Sequence, residues 1–279
     1  MKFSVGCRLG YRIQGSSTLI FNIEPAKIEQ QLVSNERLTI EPDLAAEAYV
    51  MPESSNRYLR VRAESGELTI RFDAEVEMDV RQDDPATVFE IEPADLPFSV
   101  LPYLFPSRYC PADQLCRLAH REFGRMPRGH QRVTALCNWI YGQIDYLRGS
   151  SDTQTSAYDT IVERAGVCRD FAHLGISLCR ALNIPARFVS GYALGLEPPD
   201  FHAVFEAYLG GRWYLFDPTR QAVLDGIVRI GVGRDAADAS FATIYGPVRP
   251  TDMTVYIRPA DGAGMEGMRT ALAVSTSAV

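Results

Sequence analysis

The stretch GVCRDFAH, residues 166–173, places a cysteine, Cys168, where a helix begins. Apolar residues then recur at helical spacing as far as Leu182, and Asn183 and Pro185 end the pattern. The free backbone N–H groups of a first helical turn stabilise a negative charge, so they favour a thiolate. The pattern therefore predicts a helix that presents a nucleophilic sulfur at its N-terminus.

Two further residues follow Cys168 in the order that a nucleophile, a base and an orienting acid require. His202 begins a predicted strand over 202–209, and Asp217 follows a predicted strand over 212–216. A Gly-Gly pair joins the two strands, which is typical of a tight antiparallel hairpin. Because the hairpin brings its two ends to the same edge of the sheet, we predict that Cys168, His202 and Asp217 are the catalytic residues.

The other histidines are weaker candidates for the base. His173 lies five residues after Cys168, about 140° around the helix, so it faces away from the thiol. His120 and His130 lie outside these segments and are interpreted as surface or structural residues. The sequence therefore favours His202 as the base.

The residues beside the cysteine suggest further roles. The backbone N–H of Cys168 is one predicted oxyanion donor, and the second donor is left open between Gln154 and Tyr146. Asp170 is expected to complement the helix dipole rather than to do chemistry. Arg169 is interpreted as a solvated surface residue, with binding of a substrate carboxylate as the alternative.

The first third of the chain has a β pattern. Apolar and polar residues alternate along 68–80, and shorter alternations occupy 7–13 and 59–63. Pro, Gly and Asn separate these runs, as in small antiparallel sandwiches. Residues 1–82 are therefore predicted to form an antiparallel β-sandwich.

Beyond residue 82 the pattern of the sequence changes twice. Six prolines within 83–111 exclude a central strand and a helix interior, so this stretch is predicted to be a linker wrapped against one or both domains. From residue 113 the apolar period becomes helical, and Ser156 to Asp159 resembles a capping box opening a short helix that Gly166 closes. A strand over 186–193 precedes the hairpin.

Together these patterns predict an α+β protein. Its predicted parts are an N-terminal antiparallel β-sandwich domain (1–82), a proline-rich linker (83–111), a catalytic domain of helices packed on an antiparallel sheet (112–260) and a flexible C-terminal tail (261–279).

Charge and composition exclude several classes of protein. The formal charge of −7 argues against non-specific nucleic-acid binding, which needs a basic stripe. Arg8 and Arg12 interrupt any apolar leader, and the sequence contains no apolar stretch of the length that spans a membrane. We therefore expect a cytoplasmic protein with no membrane or nucleic-acid partner, and the sequence does not indicate its oligomeric state.

Cofactor and metal sites are not expected either. The 6 cysteines include no Cys-x-x-Cys pair, so neither a zinc site nor a disulfide framework is indicated. Cys137 and Cys179 fall on apolar helical stripes and are interpreted as buried packing residues. The chain contains no Asp-x-Asp-x-Asp-Gly loop, and Asp235 with Asp238 would be too few ligands for calcium.

These motifs resemble the transglutaminase-like superfamily, and most closely its bacterial cysteine-protease branch with a β-rich N-terminal domain. The resemblance rests on four matching stretches, GVCRDFAH (166–173), ALNIPARFVSGY (181–192), His202-Ala203 and Asp217-Pro218-Thr219, and on the loop GRDAAD (233–238). It implies a papain-like core with a Cys-His-Asp triad on Cys168, His202 and Asp217. Arg169 stands where many members have Gln, and Val204 where many have Trp.

Three functions agree with these residues. The preferred hypothesis is a metal-independent cysteine peptidase or amide hydrolase that acts on a peptide or protein through a thioester on Cys168. The second is a protein-glutamine transamidase, which passes the same acyl group to an amine. The third is a non-catalytic scaffold, against which the three intact triad residues argue.

Overall fold

The computed structural model describes residues 1–260 and 272–277, and its architecture is α+β, as predicted. The helices are α1 (Ala112–Phe123), α2 (His130–Gln143), α3 (Ala157–Glu163) and α4 (Cys168–Ala181). Single 3₁₀ turns occupy Pro85–Thr87, Pro93–Asp95, Leu101–Leu104 and Leu224–Gly226. The strands are β1 (Lys2–Ile13), β2 (Ser17–Phe21), β3 (Gln31–Glu41), β4 (Ala46–Val50), β5 (Arg57–Ala63), β6 (Gly66–Met78), β7 (Arg81–Asp83), β8 (Asp145–Tyr146), β9 (Ala165–Gly166), β10 (Ala186–Ala193), β11 (Phe201–Leu209), β12 (Arg212–Phe216), β13 (Ile227–Gly233), β14 (Ala242–Tyr245), β15 (Val248–Pro259) and β16 (Ala273–Ser275).

The N-terminal part is a sandwich of two antiparallel sheets, with strand orders β15-β1-β6-β3 and β14-β2-β5-β4. The alternation along β6 buries its apolar residues and leaves the intervening ones partly or fully exposed. Phe3, Phe21 and Ile70, one from each of three strands, are fully buried between the sheets. We call these two sheets the N-terminal sandwich.

Two of the sandwich strands come from the end of the chain, which corrects the predicted domain division. β15 pairs with β1 along its whole length, from Val248 opposite Ile13 to Pro259 opposite Phe3, and β14 pairs with β2. Residues 242–259 therefore belong to the N-terminal sandwich and not to the predicted unit 112–260. The pairing covers backbone groups of β1 and β2 that would otherwise lie at sheet edges.

The second unit, here the C-terminal unit, is an antiparallel sheet of order β12-β11-β10-β13 with the four helices on one face. The predicted hairpin is present: Gly210 and Gly211 both have positive φ, and Leu209 pairs with Arg212. Such φ values suit a two-residue turn whose twist matches that of the flanking strands. α4 is buried along most of its length between the sheet and the other helices.

The short helix before α4 begins as predicted and ends differently. Ser156 and Asp159 form the expected capping box at the start of α3. The helix ends at Arg164 in the left-handed conformation, whereas Gly166 lies in β9, where a Cβ would collide with the Asp170 side chain. Gly166 is therefore needed for close packing at the start of α4 and does not close α3.

The predicted linker wraps against the C-terminal unit. Leu96 and Val100, between the 3₁₀ turns, pack on Tyr208 and Trp213 of the β11–β12 hairpin. Apart from Asp83, the last residue of β7, the stretch contains neither strand nor α-helix, as its prolines predict.

The prediction of a flexible tail over 261–279 is wrong for residues 272–277, the part of it that the structure describes. β16 pairs with β7, and residues 273–277 are buried. The Ser277 hydroxyl donates a hydrogen bond of 2.9 Å to Glu206, a buried carboxylate that also pairs with Arg187 and Arg229. The remainder of that prediction, residues 261–271 and 278–279, lies outside the described residues.

Candidate active site

Cys168 is the first residue of α4, as the sequence predicts, and it is only partly buried. Val167 before it has extended backbone, and its N–H donates a 2.9 Å hydrogen bond to the Asp170 carboxylate. This bond fixes the point at which the chain enters the helix, and the acid complements the positive helix end. Asp170 is thus a structural residue, as predicted.

His202 and Asp217 meet at the edge of the sheet. Nε2 of His202 lies 3.0 Å from Oδ2 of Asp217, and each side chain is 2% exposed. This leaves Nδ1 as the imidazole nitrogen that does not bind Asp217, and Cys168 lies close enough to the ring to help raise the pKa of His202. The three predicted residues are therefore adjacent in the order cysteine, histidine, aspartate.

The Asp217 carboxylate is held by the loop that follows it. The Thr219 backbone N–H and hydroxyl donate to Oδ1 at 2.9 and 2.6 Å, and the Ala222 N–H donates to Oδ2 at 2.9 Å. Burial alone would raise the pKa of Asp217, but His202 and these donors lower it. The sequence analysis did not identify either residue, although Asp-Pro-Thr is a turn sequence that could have indicated Thr219.

The pKa of His202 follows from the same contacts. Burial alone would lower the pKa of the imidazole, but the Asp217 carboxylate outweighs burial, and Cys168 adds to its effect. The pKa of His202 is raised to about 10. An imidazolium is therefore favoured beside the sulfur at neutral pH.

One of the two open candidates for the second oxyanion donor reaches the site. β8 pairs with β9, placing Tyr146 opposite Gly166, and the Tyr146 hydroxyl interacts with both the backbone N–H and the thiol of Cys168. Burial, with Cys168 as the next cause, raises the pKa of Tyr146 to about 12, so the hydroxyl keeps its proton. Gln154 instead accepts a 3.4 Å hydrogen bond from Arg108.

The remaining histidines have other partners. Nε2 of His173 accepts the Ala236 N–H at 3.1 Å, the ring stacks on Tyr109, and burial lowers its pKa to about 3. His130 is buried and contacts the Thr134 hydroxyl, and burial lowers its pKa to about 4. The exposed His120 contacts the Cys116 carbonyl.

Arg169 and Val204 lie in different surroundings. Arg169 lines the cavity beside Cys168, and its guanidinium bonds Asp170 and the Asp152 carbonyl, so it is not freely solvated. Val204 is buried in a cluster with Leu215 and Val274. Val204 therefore takes part in the packing behind the sheet.

A cavity of about 390 Å³ opens beside the cysteine, and we call it the Cys168 cavity. Its lining comes from α4, β10, β11, the segment 236–241 and the strands β14 and β15, and includes Cys168, Phe188, Asp200, Phe201, His202, Phe241 and Met253. The last two residues carry no sequence signal that links them to the site.

The part of the chain that the structure describes has neither a cluster of metal ligands nor a membrane-spanning helix. It contains no group of three or more His, Cys, Asp and Glu side chains arranged to hold a metal ion. None of its helices has the length and apolar character needed to cross a membrane.

Comparisons with known proteins give the family. Residues 119–218 match the core of the transglutaminase-like superfamily, and residues 1–95 match the N-terminal domain of bacterial transglutaminase. The crystal structure of a "putative cysteine protease" from Cytophaga hutchinsonii is 42% identical, with a TM-score of 0.94 over 99% of this chain and 98% of that one.

Two mycobacterial proteins match a smaller part of the chain. An uncharacterised protein of Mycobacterium leprae is 30% identical over 55% of this chain, and one of Mycobacterium tuberculosis is 34% identical over 37%. The chain spans 58% and 38% of the lengths of these two proteins. Taken together, the matches support a thiol-dependent enzyme, and the chain belongs to the transglutaminase-like superfamily, with the bacterial transglutaminase N-terminal domain preceding its core.

Proposed function

We propose that Cys168, His202 and Asp217 form a catalytic triad that hydrolyses an amide bond of a peptide or protein through a thioester. The observation that carries this proposal is the buried 3.0 Å bond between His202 and Asp217 directly beside a cysteine at a helix N-terminus. The Cytophaga hutchinsonii protein, similar along its whole length, supports the choice of a protease.

In the acylation step, the Cys168 sulfur attacks the carbonyl carbon and the S–C bond forms. The carbonyl oxygen becomes an oxyanion, to which the Cys168 backbone N–H and the neighbouring Tyr146 hydroxyl would donate. The imidazolium of His202 gives its proton to the amide nitrogen, the C–N bond breaks, and the amine leaves. Asp217 stabilises the positive charge on the imidazole until that transfer.

In the deacylation step, water attacks the thioester. Neutral His202 accepts a proton from the water as the new C–O bond forms, and the S–C bond then breaks. The carboxylic acid product leaves, and the sulfur returns as a thiolate beside the imidazolium. This sequence needs no metal ion, because the histidine carries every proton.

Transamidation is the second candidate, favoured by the match to the bacterial transglutaminase domain. An amine would then replace water in the second step. Incubation with a glutamine-containing peptide and excess dansyl-cadaverine, with and without calcium, separates the two functions. Hydrolysis predicts that peptide fragments, or ammonia with a peptide-bound glutamate, form faster than the dansylated peptide in both conditions. Calcium-dependent dansyl incorporation that outruns hydrolysis would favour transamidation.

The triad is tested by thiol labelling at pH 6.5 with mass spectrometry. We expect iodoacetamide to label Cys168 first, because an imidazolium accompanies it. Cys116 is the control, since it is exposed, whereas burial raises the pKa values of the remaining thiols, Cys7, Cys110, Cys137 and Cys179. His202→Ala should remove the advantage of Cys168. Labelling of Cys116 as fast as Cys168 in the wild type would contradict the triad and favour the scaffold.

A further inference from the structure

The Cys168 cavity has a mainly apolar wall facing the proposed nucleophile. Phe188, Phe201 and Phe241 contribute aromatic rings, and Met253 contributes a thioether. The rings of Phe201 and Phe241 are stacked, with centroids 5.1 Å apart and planes at 22°. A cavity of about 390 Å³ with such a wall is large enough to bury one bulky apolar side chain.

Part of this wall comes from the N-terminal sandwich. Met253 lies on β15 and Ala242 on β14, both of which are sandwich strands. The segment between β13 and β14 is anchored to the sandwich as well, because the Asp238 carbonyl accepts a 2.6 Å hydrogen bond from the Tyr58 hydroxyl. The sandwich is therefore a structural component of the cavity.

The same segment is also anchored to the helix that carries Cys168. Nε2 of His173, on α4, accepts the Ala236 N–H at 3.1 Å, and the Asp235 carboxylate accepts the Tyr109 N–H at 2.9 Å. With bonds on both sides, the wall is formed before a substrate binds. A preformed wall selects by shape, because little ordering is needed on binding.

The charges at the cavity disfavour an acidic side chain. Arg169 is ion-paired with Asp170, so its charge is already compensated. Asp200 lines the cavity, and its carboxylate accepts the Phe201 N–H at 2.8 Å. An acidic group beside this partly buried carboxylate would be repelled.

We propose that the Cys168 cavity binds a bulky apolar side chain on the acyl side of a peptide substrate, and that the N-terminal sandwich selects this side chain through Met253. The proposal rests on the proposed function, since the acyl carbon must lie at Cys168. It assigns the N-terminal sandwich a direct role in substrate choice.

The test uses N-acetyl-dipeptide chloromethyl ketones, which alkylate the sulfur without turnover. Either residue of the dipeptide is varied among Gly, Leu, Phe and Glu, and each rate at Cys168 is divided by the iodoacetamide rate of the same variant. At one of the two positions, we expect the normalised alkylation rate with Phe or Leu to exceed the rate with Gly by about tenfold or more. The rate with Glu should be lower than the rate with Gly.

Met253→Lys should reduce the ratio of the Phe rate to the Gly rate at least about fivefold, because it places a charge in the apolar wall of the Cys168 cavity. Thr254→Lys is the matched control, since the neighbouring side chain of β15 points to the opposite face of the strand and is exposed. Phe241→Ala is a second variant that should also reduce the ratio. Rates that do not depend on the side chain, or equal effects of Met253→Lys and Thr254→Lys, would overturn the proposal.

These outcomes are separate from failure of the proposed function. If iodoacetamide fails to favour Cys168 over Cys116, the triad is wrong. If iodoacetamide favours Cys168 and the chloromethyl ketones show no preference, the triad stands and the apolar specificity is wrong.

Discussion

At the residue scale, the chemistry of the candidate site depends on one carboxylate. Asp217 holds the His202 imidazole through Nε2 and is itself held by donors from the next few residues. This arrangement leaves the other imidazole nitrogen for the sulfur. The carboxylate therefore orients the base and also stabilises its charged form.

A pH profile tests this role. The pKa of His202 is raised to about 10, so the imidazolium persists at neutral pH and is lost as the pH rises through that value. Because acylation needs the imidazolium to protonate the leaving amine, we expect the alkaline limb of kcat/KM near pH 10. Asp217→Asn removes the stabilising charge, and the limb should move by more than about one unit toward the ordinary histidine pKa of about 6.5.

Asp252→Asn is the control for that profile, because Asp252 pairs with Arg8 on the surface of the sandwich. Its alkaline limb should match that of the wild type. An alkaline limb that stays in place in Asp217→Asn would show that Asp217 does not control the charge of the base.

The predictability of the site differs from residue to residue. The positions of Cys168 and His202 at the starts of α4 and β11, and of Asp217 after β12, follow from local patterns that the sequence displays. Their nearest supports are less predictable: the sequence does not indicate the Ala222 N–H, and it offers Tyr146 only as an alternative to Gln154. Both groups reach the site through loop and strand geometry. Such contacts depend on backbone placement and leave no periodic signal.

At the element scale, α4 sets the position of the sulfur through its packing on β11. Gly175 of α4 faces the Phe205 ring so closely that a Cβ would lie 2.4 Å from a ring carbon. The helix can approach the sheet at this distance only with glycine there. Close approach at this point keeps the start of α4 beside His202.

We expect Gly175→Ala to lower the free energy of unfolding by about 1–3 kcal/mol, because overpacking forces helix and strand apart. Gly142→Ala on α2 is the matched control, since nothing lies within 4 Å of a Cβ there. It should leave stability unchanged or raise it by up to about 1 kcal/mol through helix propensity. Urea denaturation measures both variants, and equal changes would show that the contact with Phe205 does not limit the packing.

The strands show which elements the sequence reveals. β10 and β12 match their predicted bounds because apolar runs end at clear turn residues, including the Gly-Gly pair. β15 was not predicted, since its side chains are mostly exposed and its partner β1 lies at the other end of the chain. β16 lies in the predicted flexible tail, because its pairing with β7 and the bond of the following Ser277 to Glu206 join residues that are far apart in the sequence. Pairing across such sequence distances cannot be read from a local pattern.

At the scale of the whole molecule, two side-chain amides join the N-terminal sandwich to the C-terminal unit. Gln31 donates to the Arg229 carbonyl at 2.9 Å and accepts its N–H at 2.8 Å. Asn56 donates to the Val232 carbonyl at 2.8 Å and accepts its N–H at 2.9 Å. These four bonds satisfy β13, the edge strand of the C-terminal sheet, as a neighbouring strand would.

We predict that these amides couple the unfolding of the two units. Asn56→Leu leaves the N–H and the carbonyl of Val232 without these partners. Gln31→Leu does so only for the Arg229 N–H, because the Arg229 carbonyl still accepts the Ala26 N–H at 3.0 Å. Each variant should lower the free energy of unfolding by about 1–3 kcal/mol, with the larger loss in Asn56→Leu. Gln14→Leu, at an exposed amide, is the control and should change it by less than about 0.5 kcal/mol. In the wild type, tryptophan fluorescence, which reports the C-terminal unit through Trp139 and Trp213, should follow the same thermal transition as far-UV circular dichroism. In the double variant Asn56→Leu/Gln31→Leu, the fluorescence and circular dichroism transitions should occur at different temperatures. If the two transitions still coincide and the free energy of unfolding falls no more than in Gln14→Leu, other contacts hold the units together.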